Sequence, residues 1–183
     1  KPAEQSPSTA LKLGELALEA GIPPGVLNVV PGYGDTAGQA LARHMDVDLI
    51  AFTGSGEVGR KLMTYAGESN LKRVALELGG KSPQIVFADA EDLDAAADAA
   101  AWGIFFNQGE ICNAASRLLV EASIKDDFLE RVLKRSKQYA PGDPLDPASV
   151  AGALVSEGQM KRVLGYIDTA RKEGANLALG GSR

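Results

Sequence analysis

Residues 49–59 read Leu-Ile-Ala-Phe-Thr-Gly-Ser-Gly-Glu-Val-Gly. The apolar run 49–53 closed by Gly-Ser-Gly predicts a strand that turns tightly into a helix over about 57–67. Val-Ala-Leu-Glu-Leu at 74–78, ended by Gly79-Gly80, predicts the next strand. Strand, helix, strand in this order is a crossover unit, and crossovers of this kind join parallel neighbours in a sheet.

Upstream, 8–20 predicts an amphipathic helix with Ser8 or Thr9 as its cap, stopped by Gly21 and Pro23-Pro24. The β-branched run 26–30 predicts a strand and 35–43 a helix capped by Asp35 or Thr36. Three Gly-rich turns, at 32–34, 54–56 and 79–80, are each expected to follow a strand and to gather at the carboxyl edge, where open parallel sheets hold ligands. Downstream the alternation recurs: strands over 84–87, 117–121 and 177–179, and helices over about 93–106, 124–138 and 157–173. The expectation is an α/β fold of open parallel sheets with flanking helices, divided near Gly80 into residues 1–79 and 80–183.

Bulk properties narrow the function. A net charge of -5 leaves no basic surplus to neutralise phosphates, which argues against nucleic-acid or anionic-membrane partners. No apolar stretch is long enough to span a bilayer, and the opening Lys-Pro-Ala-Glu has no signal-peptide core, so a cytoplasmic or similarly reducing setting is expected. One cysteine and one histidine exclude an intrachain disulfide, a Cys-rich metal site and most His-based ones.

That cysteine, Cys112, follows Phe-Phe-Asn-Gln-Gly-Glu-Ile. A lone cysteine is most often a buried structural one. Here Asn107-Gln108-Gly109 is turn chemistry after an apolar helix, so Cys112 is expected on a loop, where amide neighbours and exposure suit a nucleophilic thiolate. A nucleophile of this kind needs a base for its own proton or for a later water. His44 lies in a connection away from the Gly-rich turns and reads as a surface residue. Glu77 is the better candidate, because a carboxylate inside an apolar strand end is unusual, and burial would raise its pKa toward that of a general base. Alternation alone leaves open whether Glu77 points inward or out. Gly54, Gly56 and Gly59 complete G-x-G-x-x-G at a helix start, but no acidic residue stands where a dinucleotide fingerprint needs it.

Lys-Pro-Ala-Glu-Gln-Ser-Pro (1–7), Pro-Gly-Tyr-Gly (31–34), Phe-Thr-Gly-Ser (52–55), Leu-Glu-Leu-Gly-Gly-Lys-Ser-Pro (76–83) and Phe-Asn-Gln-Gly-Glu-Ile-Cys (106–112) together resemble the aldehyde dehydrogenase superfamily, in order and spacing, over the whole chain. The resemblance implies a Rossmann-like cofactor part over 1–79 and an α/β catalytic part over 80–183. It implies Cys112 as nucleophile, with its backbone amide helping to hold an oxyanion, and Glu77 as the base that activates the hydrolytic water. It implies NAD as cofactor rather than NADP, because a carboxylate at Glu4 suits a ribose diol and repels a 2′-phosphate. Lys1 and Glu4 would meet the adenosine ribose, and Gly34 and Val58 the adenine. Ser55 would meet the pyrophosphate, and Phe52, Gly54 and Leu78 would belong to the cofactor site, the last two beside the nicotinamide. Phe106 would face the aldehyde.

The residues depart from the family at Gly56, often Thr there, at Glu110, more often Gln, and at Ala115, often Gly. The resemblance further implies missing flanks: an upstream βαβ part with an oxyanion-hole Asn, and a downstream Glu for the nicotinamide ribose with an oligomerisation strand. The parent protein is therefore expected to be a homodimer or homotetramer. Two readings of the bare chain stand side by side, a competent enzyme seen in part and an inactive fragment that keeps the fold. A phosphorylating reductase is a third, opposed by the intact Glu77. The stretch 84–125 looks most like enzymes of ω-amino or γ-glutamylamino aldehydes.

Overall fold

A computed structural model describes residues 1–183, which divide into two compact units, Lys1–Leu78 and Gly79–Arg183. Each is an α/β unit with one two-stranded parallel sheet.

In the first unit, α1 (Ser8–Glu19) precedes a single π-helical turn, Gly34–Gly38, that runs into the short α2 (Gln39–Arg43). Strand β1 (Leu49–Gly54) leads through Ser55 into α3 (Gly56–Gly67), and β2 (Arg73–Leu78) returns parallel to β1. Ser55 caps α3 by accepting from the Val58 N–H at 3.3 Å. A polar oxygen there satisfies one of the first-turn donors that a helix leaves unpaired. Val74, Leu76 and Leu78 turn to the half-buried face of β2, while Arg73, Ala75 and Glu77 face out. Leu78 packs on α3 at Gly59, where a Cβ would stand 3.0 Å from Leu78 Cδ2. The absent side chain is what lets helix and strand approach this closely.

Lys72 is the unusual core residue of this unit, only 7% exposed. Its ammonium donates to the Ala42 carbonyl at 2.6 Å and to Ser69 Oγ at 2.8 Å. Ala42 lies in the last turn of α2, and Ser69 in turn donates to the Tyr65 and Ala66 carbonyls of α3. A cation at the carboxyl ends of two helices meets their partial negative charge.

In the second unit, β3 (Pro83–Val86) and β4 (Arg117–Val120) pair in parallel, joined through α4 (Leu93–Phe105). Asp92 Oδ1 caps α4 by accepting from Asp94 N and Ala95 N, both at 2.9 Å. The buried alanines 97, 100 and 101 give α4 a flat face, and α5 (Lys125–Ser136) inserts Phe128 and Val132 against Val86, Ala97 and Ala100. A last helix, α6, spans Glu157–Lys172.

Several expectations are corrected. Residues 26–30 form no strand, because no neighbour offers them a ladder; Val29 instead packs on α1, its Cγ2 3.2 Å from where a Cβ on Gly14 would be. The turn at 32–34 therefore follows no strand, leaving two Gly-rich turns that do. Residues 177–179 are likewise irregular. Neither Ser8 nor Thr9 caps α1, whose N-cap is Pro7, and neither Asp35 nor Thr36 caps the turn at 34–38; the Thr36 hydroxyl bonds back to the Tyr33 carbonyl instead.

Asp94 accepts from Arg135 at 2.7 Å and pairs with Arg131 at 2.9 Å, tying α4 to α5. The Arg131 and Arg135 hydrogen bonds hold its carboxyl below the usual aspartate range. A depressed folded-state pKa gives stability that is present above the unfolded value of about 4 and is lost as pH falls through the folded one. Chemical denaturation between about pH 5 and pH 3 should show a steeper loss of stability for the parent chain than for Asp94→Asn. Equal slopes would mean that Asp94 contributes nothing to the acid side.

Candidate active site

Cys112 is exposed, on the loop between α4 and β4, as expected from the turn residues before it. That turn is left-handed through three successive residues: Asn107 (φ 50°), Gln108 (φ 57°) and Gly109 (φ 73°). Each non-glycine in this region costs about 1–2 kcal/mol, which Asn tolerates best. At Gly109 a Cβ would also stand 2.8 Å from the Ile104 carbonyl oxygen, so the end of α4 and the turn are in direct contact. The Glu110 N–H closes the turn on the Asn107 carbonyl at 3.0 Å.

Backbone bonds then fix the loop on its other side. The Gly80 N–H donates to the Cys112 carbonyl at 3.1 Å, and the Ala115 N–H donates to the Gly103 carbonyl of α4 at 2.9 Å. Arg117 adds two bonds to the segment after Gly80: its N–H reaches the Ser82 carbonyl at 3.3 Å and its Nε the Lys81 carbonyl at 2.8 Å. Cys112 therefore sits between a helix end and a strand entrance, with its side chain in the open. Phe106, expected to face the aldehyde, is exposed and stacks on Trp102 with ring centroids 5.3 Å apart. Gln159 of α6 donates from Nε2 to Glu110 Oε1 at 3.0 Å. Neither Arg117 nor Gln159 was singled out by the sequence. One is a routine strand residue and the other lies 49 positions from its partner, so no local pattern marks either.

Within the first unit the expected cofactor residues fall into two groups. Lys1 Nζ lies 3.3 Å from Glu4 Oε1 and 2.8 Å from the Gly32 carbonyl. Glu4 Oε1 is also 3.6 Å from where a Cβ on Gly34 would stand. The Glu4 carboxyl is held below the usual glutamate range, first by hydrogen bonding to its own backbone and then by Lys1. It is thus an anion beside an ammonium. The second group lines the start of α3. Gly54 lies beneath the Phe52 ring, which a Cβ there would strike, and Ser55 and Val58 form the cap already described. Leu78 pairs with Gly54 across the sheet. A helix N-terminus whose backbone donors point outward is a general site for phosphate groups.

Glu77 stands at the carboxyl end of β2, opposite Thr53 of β1. It lies on the outward face of the strand and is exposed, so the burial expected for it is absent in this chain. Strand alternation is the reason, since the apolar neighbours Leu76 and Leu78 take the face that packs on α3. His44 is exposed in the turn before β1, its Nδ1 accepting from the Asp46 N–H at 3.2 Å.

The profile of the aldehyde dehydrogenase family matches residues 1–183. Cytosolic aldehyde dehydrogenase 1 of Rattus norvegicus is 57% identical over 183 residues, all of this chain and 36% of that protein. An indole-3-acetaldehyde dehydrogenase crystallised with NAD+ superposes with a TM-score of 0.97 at 61% identity, covering 99% of this chain and 37% of the other. A gamma-glutamyl-gamma-aminobutyraldehyde dehydrogenase from Burkholderia cenocepacia does so at 0.96 and 56%, over 100% of this chain and 36% of the other. The chain thus spans little more than a third of the length of the relatives it matches, and those structures share its α/β fold.

Gly109→Ala should lower stability by about 1 kcal/mol or more, from left-handed strain, and should shift the alkylation rate of Cys112, the only thiol present. Denaturation and iodoacetamide labelling read the two effects. Unchanged values in both would refute the strained turn as the support of Cys112.

Proposed function

The chain belongs to the aldehyde dehydrogenase family, and from that membership we propose that the protein carrying it oxidises an aldehyde to a carboxylic acid with NAD+, through a thioester on Cys112. The observation that carries this reading is Cys112 itself: the one thiol of the chain, exposed on a loop held from both sides.

The residues fit the cofactor. The Glu4 carboxylate, kept ionised beside Lys1, suits the two hydroxyls of an adenosine ribose and would repel a 2′-phosphate, which favours NAD over NADP. The Ser55-capped start of α3 would take the pyrophosphate, with Gly34 and Val58 on the adenine side, Gly54 and Leu78 beside the nicotinamide, and Phe52 within the same cofactor site. When bound, NAD+ supplies the hydride acceptor. The NAD+ complex of the indole-3-acetaldehyde dehydrogenase supports the same choice.

The Cys112 thiolate attacks the carbonyl carbon, forming a C–S bond and moving an electron pair to oxygen. The Cys112 backbone N–H steadies that oxyanion. Collapse of the oxyanion would restore C=O and leave a thioester on Cys112, the hydride going to the acceptor that bound NAD+ would supply. Glu77 takes a proton from water, the hydroxide adds to the thioester carbonyl, and the acid leaves as the thiolate returns. Exposure of Glu77 in this chain is compatible with a base that must reach water. Phe106, stacked on Trp102, offers an apolar surface to the aldehyde.

For substrate, the ω-amino or γ-glutamylamino aldehydes are the narrower reading, supported by the Burkholderia enzyme. An indole-3-acetaldehyde dehydrogenase matches at 61% identity against 56%, so similarity alone does not select between the two aldehyde classes. A cytoplasmic homodimer or homotetramer is the matching assembly for the whole protein, and the cytosolic relative agrees on compartment. No helix here is long and apolar enough to cross a membrane. The 183-residue chain alone is proposed to have little or no activity, since the relatives are nearly three times longer.

Single-turnover NADH formation tests the roles in the full-length protein, with propanal and an aminoaldehyde in parallel. Cys112→Ala should abolish the burst. Glu77→Gln should keep a burst of about one NADH per site and slow later turnover by about 10²–10⁴. A normal burst from Cys112→Ala would overturn the nucleophile assignment, and unchanged turnover in Glu77→Gln the base assignment.

A further inference from the structure

The loop that presents Cys112 has one contact that its own turn and the neighbouring strand do not explain. Glu110 lies two residues before Cys112, between the left-handed turn and the thiol. Its backbone N–H closes the turn, but its side chain points elsewhere, accepting from Gln159 Nε2 at 3.0 Å. Gln159 lies in the first turn of α6, where its own N–H is fixed by the Ser156 hydroxyl at 3.2 Å. The backbone at each end is fixed, by a closed turn on one side and a capped helix start on the other, and the two side chains meet between them in an exposed hydrogen bond.

The chain before α6 approaches the same loop. Gln108 Nε2 is 3.5 Å from where a Cβ on Gly152 would stand, and Gln108, Gly152 and Tyr139 line one cavity of about 230 Å³. Pro141 and Ala151 bridge just behind it, with the Gly142 N–H on the Ala151 carbonyl at 2.9 Å. Residues far along the chain thus lie beside the thiol loop as well.

We infer that Gln159 is a positioning residue which, through Glu110, fixes the presentation of the Cys112 thiol. The inference rests on the reading of Cys112 as nucleophile. A three-residue left-handed turn is held above its unstrained alternatives only by the bonds that close it. Loss of the Glu110 anchor removes one of the restraints on the strained turn at Asn107–Gly109, and relaxation of that turn moves Ile111 and Cys112 with it. Small displacements of a nucleophile reduce reaction rate much more than ground-state binding. A hydrogen bond to a carboxylate is one of the stronger kinds and does not need Glu specifically: an amide oxygen at 110 also accepts from Gln159.

The test is made in the full-length protein, with kcat, KM and the iodoacetamide labelling rate of the Cys112 peptide read by mass spectrometry. Glu110→Ala and Gln159→Ala should each lower kcat about tenfold with KM within about threefold of the parent, and should shift Cys112 labelling in the same direction. The double variant should be no worse than either single one, because both remove the same link. Glu110→Gln should retain kcat within about threefold. The inference is overturned if Glu110→Ala leaves both kcat and labelling unchanged, if the single effects multiply in the double variant, or if Glu110→Gln is as damaging as Glu110→Ala. Labelling keeps the two readings apart. An active Cys112→Ala variant would refute the nucleophile while the labelling rates still report on the link. An inactive Cys112→Ala with unaltered labelling across the Glu110 and Gln159 variants would refute the link alone.

Discussion

The parallel ladder between β1 and β2 is the constraint on which the first unit depends. It sets Thr53 opposite Glu77 and Gly54 opposite Leu78, so both strands end at one level. A parallel pair cannot close with a hairpin and needs a crossover, which α3 supplies. The crossover in turn puts the start of α3 at that same edge. The turn that would receive phosphate and the carboxylate that would activate water thus follow from one register. A slip of one residue would turn Glu77 to the face that packs on α3 and Leu78 to solvent, exchanging a solvated carboxylate for a buried one.

The second unit applies the same device to a different end. Its strands β3 and β4 are again parallel across a helix, and the exposed cysteine lies on the loop that precedes the second strand. Backbone hydrogen bonds to Gly80, Ser82 and Gly103 hold the loop that contains Cys112, and Arg117 adds a side-chain bond to Lys81. Backbone groups serve this purpose well because they fix position without competing chemically with a thiol. The local strain at Asn107 and Gln108 is offset by these bonds and by close packing of Gly109 on the end of α4.

Much of this was legible in the residues. The helices at 8–19, 56–67, 93–105, 125–136 and 157–172 lie within a few residues of the spans expected from the sequence, and the four strands carry short apolar runs between turn residues. The runs at 26–30 and 177–179 looked equally strand-like, yet a strand is a property of two segments, and the missing partner is invisible in one of them. Local pattern placed Cys112 on a loop because Asn-Gln-Gly is turn chemistry. It could not reveal that Glu110 meets Gln159, since side chains 49 positions apart meet only through tertiary structure. The orientation of Glu77 was a matter of parity along β2, and parity needs the packed face to be known. The roles proposed for Cys112 and Glu77 came from the family motifs, where spacing alone singled out neither.

Lys72 has a consequence of another kind. Its side chain is enclosed, yet the bond that follows it, to Arg73, is one that trypsin would cut readily in an unfolded chain. A protease must seat an extended, accessible lysine in its specificity pocket, and this one is bound at the ends of α2 and α3. Cleavage after Lys72 therefore requires that the junction open first, and its rate becomes a clock for opening of the first unit.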